Sequence, residues 1–487
     1  MRALVFALLL VPTFAYADGF ENVPGGSRTA AMGGAGVAGG YDSAMPVLNP
    51  AGLARIPGSV LSVSASLYQY GRVVVPGFAA DGAQVGSPWG ALDVSQSGIE
   101  SAEFSSFPSS IAYMLHFGSE TPTVLAGSLS IPRSIRRRFV ETYELVGDGV
   151  TVRDNYTTIV DEQQYVGAFS WATRFGRLRV GASLLGSYTT RIQSVSRDGL
   201  VVLGTANFSR AQAKETESLS SIDLGVLAGA QLDVSSHFRV GATVRSPSLN
   251  LWGTYTGSVD ATLIDSAADT VVANVTSEGS ARRGLPLRFG VGVEAFGDGW
   301  TVVADGTLYV PRSAEYMAEG QTLQSAIGMS EERPDTEQQF TRVEPTSVTF
   351  NIAVGGEYRL TESNWLRLGV FTDFTAQQSA AEQMESMPNM ARPPPRHLFN
   401  FPIDKFGASV GWGTKLASVD TTIGARGSYG SGQTLRYVPD QRYASASPVE
   451  TTDASVYEVI AFLSASLDLS DSAGGVAEHF GSFGDSP

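Results

Sequence analysis

The sequence predicts an all-β fold: a transmembrane antiparallel β-barrel of about fourteen strands with an N-terminal segment in its lumen. Three observations lead to this prediction. Beyond residue 58 the hydrophobic pattern repeats every two residues, the segments with this pattern are longer than the strands of most soluble sheets, and long and short connections alternate between them. Together these features are typical of a sheet that closes on itself in a membrane.

The segment 285–296 illustrates the period of two. Its apolar residues occupy alternate positions, and Arg288, Glu294 and glycines stand between them. The same pattern recurs at 348–360, 405–415 and 457–469. Because successive side chains of a strand point to opposite faces, each segment has one apolar and one polar face. In a membrane barrel the apolar face contacts lipid and the polar face lines the lumen.

Most of the segments with this pattern have eleven or more residues, and a tilted strand needs about nine to eleven to cross hydrocarbon. The predicted strands are 59–72, 107–117, 121–132, 162–175, 177–191, 219–232, 236–247, 286–297, 299–311, 346–360, 364–376, 402–416, 417–430 and 455–469. Aromatic residues near their ends are consistent with interfacial girdles: Tyr68, Tyr70, Phe107, Phe117, Phe175, Trp300, Tyr309, Tyr358 and Trp365.

The connections between these strands alternate strictly in length. Tight turns alternate with long irregular connections, expected at 73–106, 133–161, 192–218, 248–285, 312–345, 377–401 and 431–454. All long connections would therefore lie on one side of the sheet, as in bacterial outer-membrane barrels. A soluble sandwich also alternates apolar and polar residues, but it has no reason to sort its loops by length.

Composition excludes several classes of function. The chain has 487 residues, no cysteine and a formal net charge of −15. Without cysteine there is no disulfide framework and no thiolate metal site. The negative charge argues against a nucleic-acid partner, and the short basic cluster at 136–138 is a solvated loop face in this interpretation.

The first residues are typical of a secretory signal peptide. Arg2 precedes an apolar run, and Ala15-Tyr16-Ala17 has the small-x-small pattern of a cleavage site. We therefore expect residues 1–17 to be removed and the chain to enter the bacterial envelope. A buried N-terminal helix is the alternative, although the apolar run is short for one.

No pattern of catalytic or metal-binding residues stands out. The four histidines are His116, His237, His397 and His479, and none has a metal-ligand spacing or lies in an esterase elbow. We therefore expect a protein that is not an enzyme and that needs no metal or cofactor.

Residues 18–58 break the strand pattern and are rich in small residues. They contain Met32-Gly33-Gly34-Ala35-Gly36-Val37-Ala38 and, further on, Asn49-Pro50-Ala51-Gly52-Leu53-Ala54. The Lys-Ser/Thr of a phosphate-binding loop is absent. These two runs resemble the N-terminal signature of the outer-membrane long-chain fatty acid transporter family of the FadL/TodX type. The resemblance continues at Val244-Arg245-Ser246-Pro247, at 285–293, and at 355–360 with 366–369.

The resemblance implies a fourteen-stranded barrel, here at 59–469, whose lumen is blocked by an N-terminal hatch at 18–58. The hatch candidates are Met32, Gly33, Gly34, Gly36, Asn49, Pro50 and Gly52. It also implies a monomer in the outer membrane of a Gram-negative bacterium, inserted by the barrel-assembly machinery and surrounded by outer-membrane lipid. Family barrels end on an aromatic residue, whereas this chain continues into a tail at 470–487.

The function that the resemblance implies is passive uptake of hydrophobic small molecules such as long-chain fatty acids, bound in outer loops and lumen and released sideways through the wall. The apolar binding candidates are Leu249, Leu251, Trp252, Leu263 and Ile264, and the head-group candidates are Arg245, Arg288 and Arg359. Pro132 cannot donate a ladder hydrogen bond and is the candidate lateral gate. The alternative is a barrel without transport activity that carries another envelope protein.

Overall fold

A computed structural model describes residues 26–76, 84–87, 90–94, 98–118, 123–147, 150–203, 207–265, 271–310, 316–327, 333–344, 346–385, 402–437 and 449–469. The expected signal peptide (1–17) and C-terminal tail (470–487) lie outside these ranges. None of the helices in the described ranges is long and apolar enough to cross a membrane.

One antiparallel sheet forms a ring of 14 wall strands. In chain order they are β1 (Val60–Pro76), β2 (Gly98–Phe117), β3 (Thr123–Gly147), β4 (Val150–Phe175), β5 (Leu178–Leu203), β6 (Asn207–Asp233), β7 (Phe238–Arg245 and Leu249–Asp265), β8 (Val271–Arg282 and Leu287–Gly297), β9 (Trp300–Val310 and Tyr316–Ile327), β10 (Arg333–Glu344 and Thr349–Thr361), β11 (Asn364–Asp373), β12 (Lys405–Leu416), β13 (Val419–Tyr437) and β14 (Val449–Asp468).

The first and last strands close the ring. Pairs run from Val60↔Asp468 to Val74↔Ser455, with a bulge near Ser66. The prediction of a closed barrel with an even strand number is therefore confirmed. Two short strands, Gln84–Ser87 and Gly90–Val94, form a hairpin between β1 and β2.

The two faces of the wall have the polarity expected in a membrane. In the segment Leu287–Gly297 burial alternates, with Arg288 and Glu294 buried and Phe289, Val291 and Val293 exposed. Val291 is 62% exposed and Phe169 of β4 is 63% exposed. Apolar side chains thus point out of the barrel and charged ones point in, the reverse of a soluble protein.

Several predicted long loops are wrong. The regions 133–161, 192–218, 248–285 and 312–345 are mostly strand, because β3 to β10 extend far beyond the apolar band. Each of β3 to β6 has 25 to 27 residues, more than the roughly nine to eleven needed to cross hydrocarbon. In water neither face of a strand has to be apolar, so these extensions lack the two-faced pattern.

A row of large side chains on the outer surface marks the edge of the apolar band. Tyr165, Tyr188, Ile222 and Trp252 are successive cross-strand partners on β4 to β7. The rings of Tyr165 and Tyr188 stack with centroids 6.3 Å apart. Such a row is typical of a membrane–water interface. Leu249 and Leu251 lie on this outer surface too, on a strand rather than in a loop.

A charged residue in the middle of the apolar band should be costly. Val291→Lys places an ammonium group near the bilayer midplane and should lower the free energy of unfolding by about 2–4 kcal/mol. Reversible urea unfolding from phospholipid vesicles measures this difference. The control is Val140→Lys, at an exposed position in the outer half of β3, which should change stability by less than about 1 kcal/mol. Equal effects of both substitutions would contradict the placement of the membrane.

Candidate functional site

The N-terminal segment, residues 26–58, packs against the inner surface of the wall. It contains α1 (Ser27–Ala31), α2 (Met45–Leu48) and a 3₁₀ turn (Pro50–Arg55). A further helix, α3 (Ala380–Glu385), lies in the connection between β11 and β12. Met45, Leu53 and Ile56 of the segment pack against Met114 of β2 and Val124 of β3. The segment thus has its own apolar contacts with the wall.

Glycines on both partners allow this close packing. A methyl group at Gly369 of β11 would overlap the backbone of Gly33, and one at Gly229 of β6 would overlap the side chain of Asn49. Gly33 has a backbone φ of 74°, a value that residues other than glycine rarely adopt. Within the segment, a methyl group at Gly52 would lie 2.5 Å from Met45 Sδ. Gly34 and Gly36 also lie in this packed part, while Met32 and Pro50 are buried.

Two polar side chains fasten the segment to the wall. Asn49 is buried, and its Nδ2 donates to Val37 O at 2.7 Å and to Ala230 O of β6 at 3.3 Å. Asp305 of β9 accepts hydrogen bonds from the backbone N–H groups of Gly36 at 2.5 Å and Val37 at 2.8 Å. Because buried polar groups are costly when unpaired, these contacts fix one position of the segment.

Buried ion pairs hold the segment to one side of the ring, at β8 and β10. Arg28 Nε lies 3.2 Å from Glu357 of β10, which also accepts from Arg367 of β11 at 2.6 Å. Arg55 lies 3.4 Å from Glu294 of β8. Burial lowers the pKa of Arg55 to about 10, so its guanidinium stays charged at neutral pH.

A cavity lies between the N-terminal segment and the wall, with a volume of about 140 Å³. One side is mostly apolar and is formed by Val47 and Leu48 of the segment with Pro132, Val166 and Leu185 of the wall. The rest of the lining is largely polar and includes Arg245, Arg288, Thr307, Tyr309, Asn351, Phe371, Thr372, Asp373 and Arg426. An apolar side facing a few charged groups is the arrangement of a site for an amphiphilic small molecule.

The structure brings together only part of the predicted binding residues. Arg245 and Arg288 line the cavity and are cross-strand partners on β7 and β8. Arg359 is not in the lining and lies near the turn that follows β10. Leu249, Leu251 and Trp252 are exposed on the outer surface, Ile264 lies near the outer end of β7, and no side-chain position is described for Leu263.

Sequence reasoning missed other residues of the cavity. Arg426 of β13 stands over the ring of Phe371, with Cζ 3.5 Å from the centroid. In the predicted strand 417–430, Arg426 stands between apolar residues. This alternation indicates that its side chain points into the lumen, and it could have identified Arg426 as a candidate. Tyr309, predicted to lie in an outer girdle, is buried and lines the cavity.

The wall beside the cavity contains a gap in strand pairing. β2 and β3 pair from Phe117↔Thr123 to Ser110↔Ser130 and again at Glu100↔Val140. Between these positions, residues 101–109 of β2 have no described pairing with residues 131–139 of β3. β2 still pairs with β1 along this stretch, and β3 pairs with β4 apart from a bulge at 131–132. The gap thus separates β2 from β3, while both strands keep their other neighbours.

Two prolines explain the position of the gap. The register is the same on both sides, which places Pro108 of β2 opposite Pro132 of β3. Neither residue has a backbone N–H, so neither strand can donate a ladder hydrogen bond there. Pro132 also lines the cavity, so the cavity adjoins the gap.

Comparisons with solved structures agree with this architecture. A FadL homologue from Pseudomonas aeruginosa has 16% sequence identity and a TM-score of 0.59, with 92% of this chain and 99% of that chain covered. The Pseudomonas putida toluene transporter TodX has 12% identity and a TM-score of 0.54, with coverages of 93% and 100%. The monoaromatic hydrocarbon channel CymD has 14% identity and a TM-score of 0.50, with coverages of 92% and 98%.

No protein-family model and no curated protein sequence matches the chain. At such low identities the likeness concerns the fold. The chain therefore has the FadL-type barrel fold, and the fourteen-stranded barrel implied by the sequence resemblance is confirmed.

The close approach of wall and segment can be tested by adding one methyl group. Gly369→Ala should displace the backbone at Gly33 and expose the N-terminal segment to protease, measured as the rate of cleavage within residues 26–58. The control is Gly186→Ala in β5, where an added methyl group meets nothing within 4 Å. It should leave the cleavage rate unchanged. Equal rates in both variants would show that the segment does not depend on this contact.

Proposed function

We propose that the protein is an outer-membrane channel for passive uptake of hydrophobic small molecules such as long-chain fatty acids. The observation that carries the proposal is the position of the cavity: it lies between the N-terminal segment and an unpaired stretch of wall, and Pro132 belongs to both. Pro132 lies level with Tyr165 at the edge of the apolar band, so a molecule that leaves the cavity there would enter the bilayer at its outer interface.

Physical chemistry favours this sideways route for apolar cargo. Each CH₂ group gains about 0.8 kcal/mol when removed from water, so such a molecule would not cross a water-filled pore readily. The cavity volume of about 140 Å³ compares with roughly 150 Å³ for an engineered apolar cavity that binds benzene. A longer chain would extend out of the cavity, and the gap beside Pro132 offers it a path.

The charged side of the cavity suits an acidic head group. Arg245 and Arg288 present two guanidinium groups from neighbouring positions, and an anion between them would relieve their mutual repulsion. Carboxylates accept two parallel hydrogen bonds from one guanidinium group. We therefore assign the head group to these two arginines, and the apolar chain to Val47, Leu48, Val166 and Leu185.

The apolar residues first expected to capture ligand have a different role in this proposal. Leu249, Leu251 and Trp252 lie on the outer surface beside the row of large side chains, where contact with lipid is the simpler interpretation. The N-terminal segment acts as the hatch that closes the lumen beneath the cavity. The proposed cellular setting is the outer membrane of a Gram-negative bacterium, with a monomer inserted by the barrel-assembly machinery.

The known structures of this fold support transport rather than catalysis. TodX is described as a toluene transporter and CymD as a monoaromatic hydrocarbon channel. Within the described residues no group of His, Cys, Asp and Glu side chains could hold a metal ion. We propose hydrophobic small molecules as the cargo of this chain as well. A fatty acid differs from these hydrocarbons by its acidic head group.

Restoring the missing hydrogen-bond donors should close the lateral path. The double variant Pro108→Val, Pro132→Val should slow transfer of dodecanoate from solution into the bilayer several-fold, because the two strands can then pair. Stopped-flow acidification inside vesicles that contain the purified protein measures this transfer. Pro247→Val, in the break of β7, is the control and should transfer dodecanoate at the parent rate.

Unchanged transfer in the double variant would contradict the lateral path. Absence of any protein-dependent transfer in the parent would contradict the channel itself. Co-purification of a stoichiometric envelope protein without transfer would favour the alternative of a carrier barrel.

A further inference from the structure

The outer face of the wall changes in composition at the row of large side chains on β4 to β7. On the membrane side of this row, exposed apolar residues such as Phe169, Leu249 and Leu251 face lipid. On the other side, the first outward positions of β5, β6 and β7 are almost all serine or threonine. The acyl chains of a lipid would therefore end at the row, and its head group would lie against hydroxyl groups.

These hydroxyl residues form a continuous surface, which we call the hydroxyl face. Thr190, Ser220 and Thr254 are successive cross-strand partners, and the Oγ atoms of Ser220 and Thr254 lie 3.0 Å apart. Neighbouring strands are about 4.8 Å apart, and each hydroxyl group can both donate and accept a hydrogen bond. Such a surface suits the hydroxyl groups of a sugar. Its other members are Ser194, Thr216, Ser218, Thr256 and Ser258.

Two exposed arginines lie beside the hydroxyl face, on the far side of β4. Arg136 and Arg138 of β3 belong to the basic cluster at 136–138 and point outward, whereas Arg137 points inward toward Glu458. The side chain of Arg136 is 61% exposed, and its contact with Asp161 of β4 is long, at 4.0 Å. Between the row and the level of Arg138, two cations and one anion are the charged residues described on the outward face of β3 to β7. This part of the surface is therefore positive.

The height of these arginines suits the phosphate groups of a lipid. Arg136 pairs with Asp161, four residues beyond Tyr165, which is about 13 Å along the strand and, at a tilt near 40°, roughly 10 Å above the row. Head groups occupy about 5–8 Å beyond the hydrocarbon, and a long arginine side chain can extend its charged end into this layer. Guanidinium groups bind phosphate by two parallel hydrogen bonds. At the opposite border of the hydroxyl face, Glu278 of β8 is exposed and would repel phosphate.

We propose that this surface binds a phosphorylated glycolipid of the outer leaflet. Its phosphate binds Arg136 and Arg138, its sugar lies on the hydroxyl face, and its acyl chains cover the apolar band around Leu249 and Leu251. A phospholipid has no saccharide to cover the hydroxyl face, and a glycolipid without phosphate has no group for the arginines. This inference rests on the outer-membrane location proposed above and is independent of transport.

Native mass spectrometry of the purified protein in detergent, titrated with lipid A, tests the phosphate contact. Lipid A is an acylated disaccharide with two phosphate groups, and the parent should bind it saturably. The double variant Arg136→Gln, Arg138→Gln should raise the apparent Kd about tenfold, because charge-assisted hydrogen bonds are lost. The matched control is Arg153→Gln, Arg210→Gln, which removes two exposed arginines farther from the membrane. It should bind like the parent, and circular dichroism checks that each variant is folded.

The sugar contact has its own variant and its own lipid. Ser218→Val with Thr256→Val removes two neighbouring hydroxyl groups and keeps side chains that favour a strand. It should raise the apparent Kd for lipid A several-fold. Phosphatidylglycerol has a phosphate but no saccharide, so it should bind the parent more weakly than lipid A and should not respond to this double variant.

Equal Kd values for the two arginine double variants would overturn the phosphate site. Phosphatidylglycerol that binds as tightly as lipid A would indicate a general site for anionic lipid and would overturn the assignment to a glycolipid. Absence of saturable lipid A binding to the parent would overturn the whole inference and leave the proposed transport intact.

Discussion

A backbone N–H or C=O group in hydrocarbon has no water to bond, so every such group in a membrane wall must pair with another strand. This constraint governs the structure. It requires a sheet without edges, which β1 and β14 provide by pairing with each other. The unpaired stretch between β2 and β3 begins at the edge of the apolar band, level with Tyr165, and extends outward, where water can bond the backbone groups. At its inner end the constraint is met by residues that have no N–H to pair. Pro108 and Pro132 are such residues, and they face each other across the gap.

The inner surface of the wall positions the N-terminal segment in two ways. Glycines such as Gly229 and Gly369 let the N-terminal segment approach backbone to backbone, while Asp305, Glu294 and Glu357 fix it by hydrogen bonds and ion pairs. The segment in turn completes the cavity with its own residues. The cavity therefore exists only when wall and segment are together, and Arg288 of the wall lines it and hydrogen-bonds the segment.

The strands of the barrel could be predicted because lipid imposes a pattern on them. The alternation at 285–296 reports one side chain toward lipid and the next toward the lumen, and the structure agrees there. The strand extensions at 133–161 and 192–218 were not predicted, because a strand surrounded by water needs no alternation of apolar and polar residues. The candidate site was predicted in part: Pro132, Arg245 and Arg288 line the cavity, but the apolar cluster around Trp252 does not.

The remaining residues of the site depend on distances that a sequence does not contain. Pro108 lies within a predicted strand, and only the register of β2 against β3 shows that it faces Pro132. Arg426 is far along the chain from Arg288, and the curvature of the closed sheet brings both to one cavity. The local sequence pattern predicts whether a side chain points toward lipid or lumen. Its contacts across the lumen depend on how the sheet closes.

Amide hydrogen exchange of the protein in lipid nanodiscs, resolved by mass spectrometry of peptides, compares two seams of the wall in one measurement. The account predicts slow exchange along β1 and β14 at 60–66 and 459–468, and fast exchange at 101–109 and 131–139 for the amides that point toward the gap. Equally slow exchange at both seams would contradict the gap, and fast exchange along β1 and β14 would contradict the closed barrel.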